Sequence, residues 1–351
     1  MKQGIAITLL SLSCLPGCVG IGPGELERDN LAYGQALGDA WQQQMLLNIV
    51  KLRYGESPAF LEVASVINQY SVEGQVGVSA PSWDRPAIAG PPVASVSGRW
   101  ADRPTITYTP VLGDQFTRSL LTPIRPAALA AMMQSGWPAE FVFGVTVRSI
   151  NGLSNGTRSA LMRDEPDPRF GQLVRDLSAI QRSGHVGIRV ERRPDGNAVV
   201  LVMAREEPNA IDDVRSRVRR ALGLPEGTSE FNLIYGMLPG ANNEVAVLSR
   251  SVLEILGEFS FGVDVPPEHV VEGRVLAAPD FQGTWVPPTI HIHSGPDRPT
   301  DAAVAVPYRK LWFWIDDCDI DSKRHFSFAL ILVSLAESGD GGEAPLVTVG
   351  T

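Results

Sequence analysis

The chain has 351 residues, a formal net charge of −9, 44% hydrophobic residues and 20% charged ones. That balance excludes an intrinsically disordered chain and a helical protein that crosses a membrane many times. The acidity argues against nucleic acid, or anionic lipid held by charge alone, because both require a basic surface.

The first positions carry Lys2 and then a run from Ile5 to Leu15 that is apolar apart from small hydroxyl residues and Cys14. Such a run suits the apolar part of an export signal and is well short of the roughly 20 residues that span a bilayer. Leu15-Pro16-Gly17-Cys18 follows, with Gly17 as the small residue ahead of the cysteine. These four residues resemble the lipobox of bacterial lipoproteins, in which a lipid is attached to the cysteine thiol before the signal is removed. The resemblance ends at Cys18. It implies a signal peptide over 1–17, lipidation of Cys18 and a chain facing the periplasm. The absence of Asp after Cys18 implies, by the enterobacterial sorting rule, the outer membrane rather than the inner. The alternative is an ordinary cleaved signal with a soluble periplasmic product. Residues 18–30 read as a flexible tether. Cys14 leaves with the signal, so Cys318 is the remaining ordinary thiol, and burial as a small hydrophobe is expected for it.

Along the mature chain, Leu37, Trp41, Met45 or Leu46, Ile49 and Leu52 recur at helical spacing and predict a helix over 31–53. β-branched residues predict strand over 59–78. Residues 80–104 hold Pro81, Pro86, Gly90, Pro91, Pro92, Gly98 and Pro104, a composition that suits a long loop or partner-binding arm. A strand over 105–111, helices near 114–121 and 127–135, and a strand over 139–150 complete an N-terminal unit, 31–155. The strand rests on the alternation of Phe141, Phe143, Val145 and Val147. The polar segment 156–168 reads as a linker.

The central unit, 169–262, is expected as helix to about 182, a hairpin of 186–192 and 198–204 turning at Pro194-Asp195-Gly196, helix 209–222, strands 231–237 and 244–247, and a helix starting near Ser249, where Ser251 and Glu254 have capping-box spacing. The helix-strand-strand-helix-strand order resembles small modules that build periplasmic secretion rings, a likeness shared by many unrelated proteins. Arg215, Arg217, Arg219 and Arg220 follow Asp212 and Asp213 on helix 209–222, an order that complements the helix dipole and predicts a solvated face. The C-terminal unit, 263–338, is expected to contain strands 270–275, 289–293 and 302–314 and a buried final helix, 322–337. A mobile tail occupies 339–351. The fold class is α+β, with mixed, mainly antiparallel sheets, packed helices and two or three subdomains.

No motif assigns a catalytic residue or a cofactor. Gly-x-Ser-x-Gly, Gly-x-Gly-x-x-Gly and P-loop patterns do not occur. Cys318 and His325, the nearest thiol and base, lie across a strand-to-helix junction, which does not orient one toward the other. His291 and His293 alternate on a strand and would share one face, a geometry open to a transition metal if His269, Asp297 or Asp301 supplied a third ligand. Asp317, Asp319 and Asp321 are spaced for Ca²⁺, but the EF-hand pattern then fails at Ser322 and Phe328, so capping of the final helix and pairing with Lys323 or Arg324 is the expected role. Trp285, Trp312 and Trp314 could line a ligand groove, although aromatics on strands more often form core. The expected function is that of a lipid-anchored envelope component of a membrane-associated assembly, with the membrane and envelope proteins as partners and contacts made by the Pro81–Pro104 segment. Alternatives are a ligand- or glycan-binding lipoprotein, and an envelope-polymer hydrolase using Asp316, Asp317 or His293.

Overall fold

The computed structural model describes residues 23–68, 70–79, 93–102, 105–157, 164–184, 186–193, 196–203, 212–226, 228–277, 289–337 and 346–349. Cys18, Trp285 and residues 80–92 lie outside them, as do the Pro194-Asp195 turn and most of the 339–351 tail.

Helix α1 (Pro23–Arg53) opens the chain. It begins inside the 18–30 segment expected as a flexible tether; Met45, Leu46, Ile49 and Val50 are fully buried, while most of 31–40 is exposed. Gly55, at φ 70, takes the left-handed conformation that stops the helix. The Asn48 amide then holds the returning chain by bonding both the carbonyl and the N–H of Ala59, at 2.8 and 3.0 Å.

A ribbon follows, made of β1 (Leu61–Asn68), β2 (Tyr70–Ser79), β3 (Val93–Asp102) and β4 (Thr105–Pro110). β1 pairs with β4 from Leu61↔Pro110 to Ile67↔Thr105, and β2 with β3 from Tyr70↔Asp102 to Ser79↔Val93, both antiparallel. At about 3.3 Å per residue the contour of the ribbon is on the order of 60 Å. The 59–78 stretch is therefore two strands, and the proline-rich 80–104 segment, expected as a loop, contains a ten-residue strand. Its Ala, Ser and Gly content conceals that strand, whose propensity is weak without a partner.

Next come α2 (Gly113–Phe116), a π-helical turn over Thr117–Leu121, α3 (Pro126–Gln134) and α4 (Ala139–Thr146). Residues 139–146 correct the strand expectation. Almost every residue of α4 is buried, so an alternating apolar pattern fits a helix as well as a strand there. β5 (Val147–Ile150), β6 (Leu153–Ser154), α5 (Pro168–Arg182), β7 (Val186–Arg193), β8 (Gly196–Met203), α6 (Asp212–Leu222), β9 (Glu230–Tyr235) and β10 (Glu244–Ser249) build the main sheet. Its order is β6-β5-β10-β9-β8-β7, antiparallel except between β9 and β10. Strands from both sides of 156–168 thus join one sheet across the segment expected as a linker. Asn151 ties the halves by accepting from the Ala246 N–H and donating to the Leu222 carbonyl, each at 2.7 Å. Buried Arg250 donates to the carbonyls of Gly144, Val145 and Gly156 at 3.3, 2.9 and 2.7 Å. The α6 arginines depart from a solvated face: Arg215 and Arg219 are buried, Arg215 pairs with Asp212, and Arg217 reaches Asp176 on α5.

Helix α7 (Val252–Ser260) starts with the expected capping box of Ser251 and Glu254. α8 (Pro267–Val271) replaces the strand expected over 270–275. β11 (His293–Gly295), β12 (Ala302–Tyr308) and β13 (Leu311–Asp316) form an antiparallel sheet in the order β11-β13-β12. The 302–314 stretch is a hairpin, turned by Arg309 and Lys310 at φ 48 and 67, the positive angles a two-residue type I′ loop requires. α9 (Ile320–Glu337) buries Phe326, Phe328, Ala329, Leu332 and Val333, and β14 (Leu346–Val349) lies parallel to β1. The architecture is α+β with mainly antiparallel sheets. Among the described residues no helix is long and apolar enough to cross a membrane.

Candidate functional site

The segment Ile290-His291-Ile292-His293 places its residues alternately: Ile290 and Ile292 are fully buried, which turns His291 and His293 outward together. The turn after α7 locks against it through a parallel bridge between Val263 and Ile292, with Asp264 N–H on the Ile292 carbonyl at 2.8 Å and Ile292 N–H on the Gly262 carbonyl at 2.9 Å. The approach is close enough that a Cβ on Gly262 would stand 1.8 Å from the Ile290 carbonyl oxygen. The Ser322 hydroxyl accepts the His291 N–H at 2.8 Å, tying the segment to the start of α9.

This lock delivers the Asp264 carboxylate to both imidazoles. Its Oδ2 lies 3.0 Å from His291 Nε2 and 3.6 Å from His293 Nδ1, and the two rings are 4.1 Å apart between centroids. One ligand atom from each of Asp264, His291 and His293 falls within 4.8 Å of the others, the only such trio among the described residues. Trp314 stacks on His293 at 5.5 Å and limits its tilt. Two imidazoles and one carboxylate suit a borderline ion such as Zn²⁺, with further coordination positions left open. Sequence spacing finds the two histidines; the third group brought beside them is Asp264 rather than His269, Asp297 or Asp301. His269 is engaged elsewhere, its Nδ1 2.8 Å from the Tyr54 hydroxyl.

The acidic run serves the junction between β13 and α9. Asp319 accepts the Ser322 N–H at 3.0 Å as the cap of α9, and the bonds from Ser322 hold its carboxyl below the usual range. Asp317 pairs with Lys323 at 2.6 Å, and Asp316 accepts the Cys318 N–H at 2.8 Å. Cys318 is exposed, contrary to the expected burial. His325 is held by Phe141, stacked at 4.8 Å, and by the Thr289 carbonyl, and burial pushes its pKa down. On β13, Phe313 and Ile315 enter the core, while Trp312 and Trp314 are half-buried on the opposite face. Trp312 lies under the Arg298 guanidinium at 5.3 Å. An apolar cavity of about 120 Å³ sits apart from both tryptophans, between the main sheet and the helices, where Phe143, Leu177, Leu201 and Val247 line it.

The ribbon offers a different kind of site. β2 and β3 pair with each other, and among the described residues no strand pairs with the outer edge of either. No protein-family model, curated protein or solved structure matches this chain.

Proposed function

We propose that this chain is a lipid-anchored envelope protein, held by lipid on Cys18 to the periplasmic face of the outer membrane, that serves as a structural component of a membrane-associated assembly. The observation that carries the reading is the β2–β3 ribbon, neither edge of which pairs with another strand among the described residues. Open edges are templates for pairing with another chain, and proteins that act alone blunt or cover them. The mostly exposed stretch 31–40 of α1 supports the same reading, because it sets a helical spacer between Cys18 and the body. Several acyl chains on Cys18 would make the attachment stable where one would not.

The test is purification of the full-length chain from native membranes in mild detergent beside Cys18→Ala. The wild type is expected in the membrane fraction, in a complex heavier than one chain, and the variant in the soluble fraction. A wild-type chain that is soluble, or that leaves the membrane as a lone monomer, would overturn the proposal.

A second reading, a surface site for a transition metal, is favoured by Asp264, His291 and His293. Zinc titration of the purified protein should show one site that His291→Ala weakens by at least about tenfold, the scale of loss seen even for outer-sphere residues. Equal uptake by both proteins would remove this reading.

A further inference from the structure

We infer that β2 and β3 form a membrane-inserting hairpin, and that copies of this chain pair their hairpins edge to edge into a closed transmembrane β-barrel. The inference rests on the anchored-assembly reading and names its partner, further copies of the same chain, and its medium, the bilayer.

Three observations converge. Length comes first: each strand has ten residues, and a tilted strand needs about 9–11 to cross the hydrocarbon core. The second is the register. Val72↔Trp100, Gly74↔Gly98, Val76↔Val96 and Val78↔Ala94 occupy every second rung, and Ser71↔Ala101, Glu73↔Arg99, Gln75↔Ser97 and Gly77↔Ser95 the rungs between. Partners on one rung share a face and successive rungs alternate, so over the inner rungs one face of the ribbon carries Val, Gly, Ala and Trp, and its end rung pairs Tyr70 with Asp102. The other face carries mostly Ser, Gln and an opposed Glu and Arg, with Ala101, Gly77 and, at its end, Val93. Outward apolar and inward polar residues at period two are the signature of a barrel strand in lipid. Tyr70 and Trp100 sit near one end of the apolar face, where an interfacial aromatic girdle belongs. Every proline between Tyr70 and Pro104, namely Pro81, Pro86, Pro91, Pro92 and Pro104, falls outside the two strands and leaves the ladder its donors.

Third, among the described residues no other element makes more than weak contact with β2 or β3, whereas β1 lies between β4 and β14. An apolar sheet face left to water would be unfavourable, and in hydrocarbon each open edge would cost several kcal/mol per unpaired group. Closure removes both costs at once. One hairpin supplies two strands and membrane barrels begin near eight, so a ring takes at least about four copies. The β1–β4 half, whose Thr105, Thr107, Tyr108 and Thr109 are exposed, then stands in water as a stalk between barrel and body.

The test uses the full-length, lipidated chain in phospholipid vesicles, with Cys318→Ser as background. Single cysteines at Val72, Val76 and Val96, and at Glu73, Gln75 and Ser97, each carry an environment-sensitive dye. Quenching by nitroxide on lipid acyl chains should exceed quenching by aqueous iodide several-fold at the first three positions, with the order reversed at the second three. Protein that stays in the membrane fraction while iodide quenches all six alike would overturn the hairpin inference and leave the anchored reading standing. A period-two pattern in which neither quencher reaches the apolar positions would place protein, not lipid, on that face and would also overturn it. Replacing 70–102 with a short Gly-Ser turn should reduce the detergent-extracted oligomer to monomer while membrane retention through Cys18 persists. An oligomer that survives this replacement would sink the barrel.

Discussion

The main sheet and the ribbon use one sequence device and meet different fates. On β9, Phe231 and Leu233 are buried while Glu230, Asn232 and Ile234, which alternate with them, are exposed or half-buried; the apolar face is covered by helices, whose Phe170, Val174, Ile180 and Val218 are fully buried. On β2 and β3 the same alternation runs for eight rungs, and among the described residues no helix makes more than weak contact with them. Alternation therefore reports that a face avoids water, and says nothing of whether the cover is the chain's own helix, another copy or lipid. That distinction comes only from which elements pack together.

The largest expected effect tests this contrast directly. Phe231→Ala should lower the stability of the lipid-free protein by about 3–5 kcal/mol in urea unfolding, whereas Val76→Ala should change it by no more than about 0.5 kcal/mol. Comparable losses at both positions would make the ribbon part of the monomer's core and dissolve the comparison. Gly262→Ala comes next, at about 1–3 kcal/mol, because a Cβ there forces the Val263–Ile292 bridge apart. The same variant should abolish zinc uptake, as it separates Asp264 from both histidines. Ser251→Ala removes the acceptor for the Glu254 N–H and should cost about 1 kcal/mol. If it also altered the oligomer, body and ribbon would be coupled more tightly than the packing implies.

The smallest effect is one of pH. Burial holds the His325 pKa below that of an unfolded histidine, so the unfolded chain takes up the proton first as pH falls. Stability from this residue is complete above about pH 6.5 and declines as pH drops through the histidine range below it. The urea midpoint should fall between pH 7.5 and 5.5, and His325→Gln should flatten that fall. A steeper decline in the variant would reverse the sign argued here.

The parts legible in sequence were those set by neighbours along the chain. The 186–193 and 196–203 hairpin, the Ser251 and Glu254 capping box and the shared face of His291 and His293 each depend on a local pattern, and each is present. Asp264 was not legible, because it reaches the histidines through a bridge between residues far apart in sequence. Helix α4 was misread since a segment buried on nearly all sides carries no useful period. Strand β3 was missed because its proline-rich approach and its Ser and Gly residues read as loop, although Val72, Val76 and Val78 on β2 already marked one of the two paired faces. Burial of Arg215 and Arg219 also lay beyond sequence reasoning, which counts charge order along a helix but not what packs over it.

The tight turn at Gly262 has a consequence for descent. Any side chain there would drive its Cβ to 1.8 Å from the Ile290 carbonyl oxygen, so drift is blocked at this position while exposed neighbours remain free to change. Distant kin of this chain should keep a glycine at that point, ahead of an alternating apolar stretch like Ile290-His291-Ile292-His293, after most other identities have faded. That pairing is a handle by which such kin can be recognised, and whether they also retain both histidines would separate an inherited metal site from an accident of one lineage.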